Sequence, residues 1–432
     1  MKRRFLTIIG LLVIAVVGCG TADMGGGGGA DGDGNGGQNG EVQVSKELGV
    51  LYRDLGRPPY TWETSPVDGA PAVGPTAVEE TTEDFAEMVP NSRLKGGEWN
   101  DHEHFAEYLT WAGDFNGELV YWFDADPRIV MMVRDEAGAA VPNARVVLTD
   151  VTGASVYQAV TDGQGEAVFF PNMLKGTQDA KELTLAVTKG DARAESRQTI
   201  DRAQSARWDL RLATVPRPLA AVDVVFALDT TGSMYDEIGQ LRETLQAIVT
   251  QTGQLNPSLA LRLGLVLFRD RGDEYVTQVT DLTSDVAAIQ EQIDGAEANG
   301  GGDYRESVSA ALHDAVRTVH WSAADAEAAR LIFLIGDAPP HLDYAQEPHY
   351  LEEALMALRQ GIKIYPVAAS GIDDAGEYVF RQLSLLTMAK FIFISYNGTA
   401  PYAVGAYDEN NLDEIIFTTI AEEIATYGVA ND

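Results

Sequence analysis

Three nearly unbroken apolar runs, Val222–Leu228, Leu331–Ile335 and Ile362–Ala368, constrain this chain's fold more than any other feature. A strand that is apolar along its whole length needs cover on both faces, and a parallel sheet sandwiched between helices provides it. Helical faces alternate with these runs. Ile238, Leu241, Leu245, Ile248 and Val249 mark one, and others follow near Asp285, Tyr304–Val319, Leu351–Leu358, Glu377–Met388 and Leu412–Ile424. Gly361 stands where a helix C-cap glycine belongs. Phe391–Ser395 reads as a further strand. Leu261–Phe268 and Tyr275–Thr280, joined by the charged Arg269–Asp273 loop, predict an antiparallel edge hairpin. The expected class is α/β: a doubly wound, mainly parallel sheet with one antiparallel edge strand, accompanied by an all-β sandwich.

In an open α/β sheet, ligands collect beyond the carboxyl ends of the strands. Asp229 directly follows Val222–Leu228, and Asp337 follows Leu331–Ile335 after Gly336. In an extended loop, residues two apart face the same way, so Asp229, Thr231 and Ser233 converge. One carboxylate with two hydroxyls is a hard oxygen set suited to Mg²⁺, Mn²⁺ or Ca²⁺ and unsuited to zinc. The competing reading is a hydroxyl-rich loop that caps the helix beginning near Asp236.

Asp229-x-Thr231-x-Ser233 after an apolar strand, with Asp337 after a later one, resembles the metal-ion-dependent adhesion site of a von Willebrand factor A domain. The resemblance runs from about Val222 to Val429 and sets the domain at 219–429. It implies one divalent cation, Mg²⁺ before Mn²⁺ or Ca²⁺, held by Asp229, Thr231, Ser233 and Asp337. The family also supplies a threonine from a second loop. This chain has Gly300-Gly301-Gly302-Asp303-Tyr304-Arg305-Glu306 there, and aligning the glycines puts Asp303 at that position. Two readings stay open: Asp303 is a fifth metal ligand, or it is an N-cap forming a capping box with Glu306. As a ligand it would leave the loaded site at about −1, less welcoming to an acidic partner.

From 127 to 213 the pattern is all-β, with strand runs at Ile129–Val133, Ala144–Leu148, Ala167–Phe170 and Leu183–Thr188 and turns at Asp135–Gly138 and Thr161–Glu166. Asp135, Gly138, Val141–Ala144, Thr161, Asp162 and Gly165 resemble a carboxypeptidase regulatory-like sandwich, which implies a spacer or presentation module. Residues 41–126 take no assigned fold beyond a short helix around Phe105–Ala112. His102 and His104 lack the spacing that puts two ligands on one helical face and read as structural. Arg271-Gly272-Asp273 reads as a hairpin tip, and His341 as part of the loop rim beyond Asp337.

Lys2, Arg3 and Arg4, then apolar Phe5–Val17, form a signal segment too short to span a membrane comfortably. It ends in Val16-Val17-Gly18-Cys19, which resembles the bacterial lipobox. That resemblance implies cleavage of 1–18 and lipidation of Cys19, the only cysteine. Residues 19–40 are a Gly-rich tether with too little apolar surface to fold. Gly20 after the cysteine, by the same resemblance, points to the outer membrane. A formal charge of −34 argues against a nucleic-acid partner. The expectation is a non-enzymatic, lipid-anchored envelope protein that engages a protein or glycan through its metal site. The alternatives are a Mg²⁺-dependent phosphotransferase, though Thr230 stands where such enzymes carry lysine, and a metal-free spacer.

Overall fold

The computed structural model describes residues 93–428, apart from 118–119, 123, 175–176, 255–257, 345 and 397. The signal segment, Cys19 and the tether lie outside the described residues, as does most of the unassigned region before residue 93. Strand β1 (Lys95–Trp99) and helix α1 (Phe105–Asp114) come first. Seven strands follow: β2 (Ile129–Arg134), β3 (Arg145–Thr149), β4 (Ser155–Val160), β5 (Glu166–Phe169), β6 (Glu182–Lys189), β7 (Ala192–Thr199) and β8 (Ala206–Arg211). The α/β part then runs β9 (Ala221–Asp229), α2 (Tyr235–Thr252), β10 (Ala260–Phe268), β11 (Thr277–Thr283), α3 (Val286–Asp294) and α4 (Val308–His313). A π-helical turn, Asp314–Thr318, extends α4. The chain closes with β12 (Ala328–Gly336), α5 (Tyr350–Gln360), β13 (Ile362–Ala368), α6 (Asp374–Leu386), β14 (Phe391–Ser395), β15 (Asn410–Asn411) and α7 (Leu412–Thr426).

Among the described residues the large sheet has the order β11-β10-β9-β12-β13-β14-β1-β15. β10, β9, β12, β13 and β14 are parallel, and β11 pairs antiparallel to β10 as the expected edge hairpin. Alternate residues of the central strands feed two cores. Val224, Phe226, Leu228, Phe333 and Ile335 pack with Leu241, Leu245, Ile289, Ile416 and Ile420 of α2, α3 and α7. Val225, Ala227, Ile332, Leu334 and Ile364 face the other layer, with Leu312, Leu351, Leu355 and Phe380 of α4, α5 and α6. This double cover explains why β9 and β12 are apolar at nearly every position.

The sequence left 41–126 without a fold, yet β1 is a strand of the large sheet, antiparallel to β14 from Lys95↔Ser395 to Trp99↔Phe391. Its motif Lys95-Gly96-Gly97-Glu98-Trp99 gives no apolar signal, because two glycines occupy the crowded positions. A Cβ on Gly96 would meet the Phe393 carbonyl oxygen at 2.4 Å. Helix α1 docks on α6, where Trp111 lies under the Arg381 guanidinium at 3.8 Å. Arg381 is buried and donates to both oxygens of buried Asp101, at 2.9 and 2.5 Å, and to Glu377 at 2.9 Å.

The sandwich comprises sheets β5-β2-β8 and β4-β3-β6-β7 around a shared core of Met131, Val146, Leu148, Val168, Leu185, Val187 and Trp208. It abuts the end of the large sheet where the parallel strands begin. Lys363 reaches Asp162 at 3.2 Å and Glu423 at 2.6 Å. Lys189 pairs with Glu327 at 2.8 Å, and buried Arg330 donates to Asn143 at 3.1 Å. Since Asp162 is committed to this junction, it serves as a turn and a domain clasp.

Candidate metal centre

β9 and β12 are neighbours in register, Leu228 opposite Ile335, so the residues that leave their carboxyl ends share one crevice. Asp229 Oδ1 accepts the Thr231 backbone N–H at 2.9 Å and its hydroxyl at 2.7 Å. Ser233 donates its hydroxyl to Asp337 Oδ1 at 3.1 Å. With both hydroxyl protons given to carboxylates, Thr231 Oγ1 and Ser233 Oγ lie 3.0 Å apart and present lone pairs side by side. That arrangement suits a cation between them. Thus four of the sequence-predicted residues, Asp229, Thr231, Ser233 and Asp337, come together.

Asp303 goes elsewhere. Its side chain is 63% exposed, and its Oδ1 lies 3.2 Å from His341 Nε2. The capping box is not formed either: α4 begins at Val308, with Ser307 at the cap position. The residue that takes a carboxylate to Thr231 from this loop is Glu306, three positions further on, and it is buried. Gly301 permits the approach, since a Cβ there would sit 3.0 Å from Glu306 Oε1 and 3.3 Å from Thr231 Cβ. The backbone fixes this register. Glu306 N–H donates to the Pro339 carbonyl at 3.2 Å, and His341 N–H to the Glu306 carbonyl at 3.1 Å. The only sign in the sequence was an acidic residue just ahead of an apolar helix, which also describes an ordinary cap.

The loops are close enough to need glycine elsewhere too. Gly232 N–H donates to the Gly300 carbonyl at 3.1 Å, and a Cβ on Gly232 would sit 2.8 Å from that oxygen. Burial pushes the Asp229 carboxyl up to about 7, with nearby Asp337 adding to the rise. Glu306 is pushed up to about 9 by burial, then by Asp229, Asp270 and Asp337. Asp337 is also raised, by burial. Asp229 Oδ2 and Glu306 Oε2 are buried and have no hydrogen-bond partner among the described residues. The donors brought together here, the carboxylates of Asp229 and Asp337 and the hydroxyls of Thr231 and Ser233, are all oxygen, a set whose chemistry fits Mg²⁺, Mn²⁺ or Ca²⁺. Ser233 is exposed, which leaves one side of the centre open to solvent.

The other sequence candidates are structural. His102 is held by the Leu385 carbonyl at 2.8 Å and by Arg128 at 3.0 Å, and burial drives it down to about 3. His104 stacks on Trp99 at 4.0 Å. Arg271 and Asp273 do not form a presented tripeptide: Arg271 pairs with Glu347 at 2.6 Å, and Asp273 accepts Gly301 N–H at 2.9 Å.

The family model of the von Willebrand factor A domain matches residues 223–365. This segment is a von Willebrand factor A domain. The match opens in β9 and closes in β13, so it contains Asp229, Thr231, Ser233, Glu306 and Asp337. The A domain's sheet continues outside it through β14, β1 and β15. A curated protein of Acanthamoeba polyphaga mimivirus, described as an ariadne-like RING finger protein, is 29% identical over 122 residues. That covers 28% of this chain and 11% of the viral protein. Among solved structures, the pilus adhesin SpaC of Lactobacillus rhamnosus GG in its open conformation is 16% identical, with a TM-score of 0.34. The match covers 56% of this chain and 32% of that one. Proximal thread matrix protein 1 of the mussel byssus is 14% identical with a TM-score of 0.33, over 48% of this chain and 46% of that one. Likenesses of this extent bear on neither partner nor activity.

Proposed function

We propose that this chain is an exported, non-enzymatic binding protein, lipid-anchored through Cys19 in a bacterial outer membrane. Its A domain grips a protein or glycan partner through a divalent cation, Mg²⁺ by preference, held by Asp229, Thr231, Ser233, Asp337 and Glu306. The observation that carries this reading is the pair of orphaned, buried oxygens, Asp229 Oδ2 and Glu306 Oε2. A buried, unpaired carboxylate oxygen is costly, and a bound cation removes that cost. Three carboxylates around one divalent ion leave about −1 in total, so the open coordination position favours a neutral amide or hydroxyl oxygen over an acidic side chain. Among the described residues no helix is long and apolar enough to cross a membrane.

Calorimetric titration with Mg²⁺, Mn²⁺ and Ca²⁺ tests the metal. Wild type takes up one ion at the centre, and Asp229→Ala abolishes that uptake. Equal heats from the two proteins would sink the reading. Pull-down from envelope extract with and without EDTA then identifies partners that depend on the ion.

A further inference from the structure

A second cluster lies beside this centre and shares no side chain with it. Asp270 follows β10, Asp303 precedes α4 and His341 follows β12, and each offers a ligand atom within 4.8 Å of the others. The expected rim histidine is in fact buried, only 1% exposed. Its Nδ1–H donates to the Asp343 carboxylate at 2.7 Å, and its ring stacks on Tyr344 at 3.8 Å between centroids. That hydrogen bond puts a proton on Nδ1, because an ionised carboxylate only accepts, so the neutral ring carries its lone pair on Nε2. Nε2 lies 3.5 Å from Asp270 Oδ1 and 3.2 Å from Asp303 Oδ1. Even so, it makes no hydrogen bond among the described residues.

A buried imidazole nitrogen set between two carboxylates pairs with them as a cation when it carries a proton, and in its neutral form it is placed to share a metal ion with them. Ligand atoms about 2.0–2.1 Å from a tetrahedral ion stand about 3.3 Å from one another, which matches both separations. A carboxylate on the far nitrogen is the usual outer support of a metal-bound histidine. Asp270 is braced likewise, accepting from Tyr344 at 3.0 Å and from Ser307 at 3.3 Å. We propose that Asp270, Asp303 and His341 form a second metal site, selective for a borderline ion of the Zn²⁺ class, with water in its remaining position. One nitrogen and two oxygens distinguish it chemically from the all-oxygen centre next to it. The ion would clasp three loops that also carry Glu306 and Asp337.

The proposal stands whether or not the Asp229 centre holds metal, and the experiment keeps the two apart. The chelator-stripped full chain is titrated with Zn²⁺ against a chromophoric chelator, and Cu²⁺-loaded protein is read by electron paramagnetic resonance. Wild type and Asp229→Ala should both bind Zn²⁺ and show coupling to a single imidazole nitrogen. His341→Gln should abolish that coupling and weaken Zn²⁺ by more than about tenfold, and Asp343→Asn should weaken it by about tenfold to a hundredfold. Should His341→Gln misfold, Asp303→Asn, at an exposed position, should still lower the affinity at least about tenfold. Zn²⁺ binding unchanged in His341→Gln and Asp303→Asn would mean an adventitious histidine elsewhere and would overturn the proposal, as would absence of Zn²⁺ binding in wild type.

Discussion

Glu306 and Asp229 show what one buried carboxylate does to its neighbours. Their carboxyls rise to about 9 and about 7, against ordinary values of 4.5 and 3.8. Between those limits the metal-free folded chain holds more protons than the unfolded one. The slope of stability with pH is therefore negative: the contribution is whole below about pH 4 and is lost as pH rises through 7 and 9. A cation held as proposed would do the work of those protons. EDTA-treated protein should show a melting temperature that falls from pH 5 to 9, and Mg²⁺ should raise it more at pH 8.5 than at pH 5.5. Glu306→Gln should flatten the metal-free slope. A slope that Glu306→Gln leaves untouched would contradict the assignment. Asp229, Thr231, Ser233 and Asp337 were legible because each lies within a few residues of an apolar strand end, so periodicity alone places it. Glu306 was not, nor was the approach of Asp270 to His341. Their positions depend on backbone ties between loops far apart in sequence, such as Glu306 to Pro339, which no local pattern encodes.

At the scale of elements, the apolar strands, the edge hairpin and most helices were readable because burial on two faces leaves a continuous signal. Strand β7 escaped because its exposure alternates along a polar sequence, Ala192–Thr199, that carries charge rather than bulk on its outer face. Helix α4 begins at Val308 and not near Tyr304, because the Glu306 carbonyl, which a helix would offer four residues on, accepts from His341 instead. The expected cap at Gly361 is present and does two jobs. It ends α5 at φ +68°, and it makes room for the sandwich, since a Cβ would lie 2.9 Å from Val160 Cγ1. Gly361→Ala should therefore cost about 1–2 kcal/mol from the left-handed backbone alone, and more from the clash. Urea unfolding monitored by circular dichroism measures it. A loss under about 0.5 kcal/mol would show that the junction yields freely.

For the whole molecule, β1 alters the domain plan. The chain forms a strand of the A domain's sheet at 95–99, leaves to build the sandwich at 129–211, and returns at β9. The sandwich is thus an insertion at the end of the sheet opposite the metal centre, about 30 Å away along nine-residue β9, and not a spacer in line with it. A fragment beginning at residue 219, the boundary suggested by the sequence, lacks β1 and bares the apolar edge of β14. It should aggregate on size-exclusion chromatography, whereas the intact chain runs as a discrete species; a well-behaved fragment would show that β1 is dispensable. Direction matters as well. Because β1 runs antiparallel to β14, Lys95 sits opposite Ser395, at the same end of the sheet as the centre. A pull between an anchored N-terminus and a captured partner would then act across the strands, peeling β1 away pair by pair instead of shearing all its bonds together. What meets that load first is a small latch: Leu412 N–H on the Leu94 carbonyl at 2.8 Å, Arg93 on Asp413 at 3.2 Å and Lys95 on Asn411 at 2.7 Å. The mechanical strength of the attachment would be set there, at the start of α7, far in sequence from both clusters proposed to hold metal.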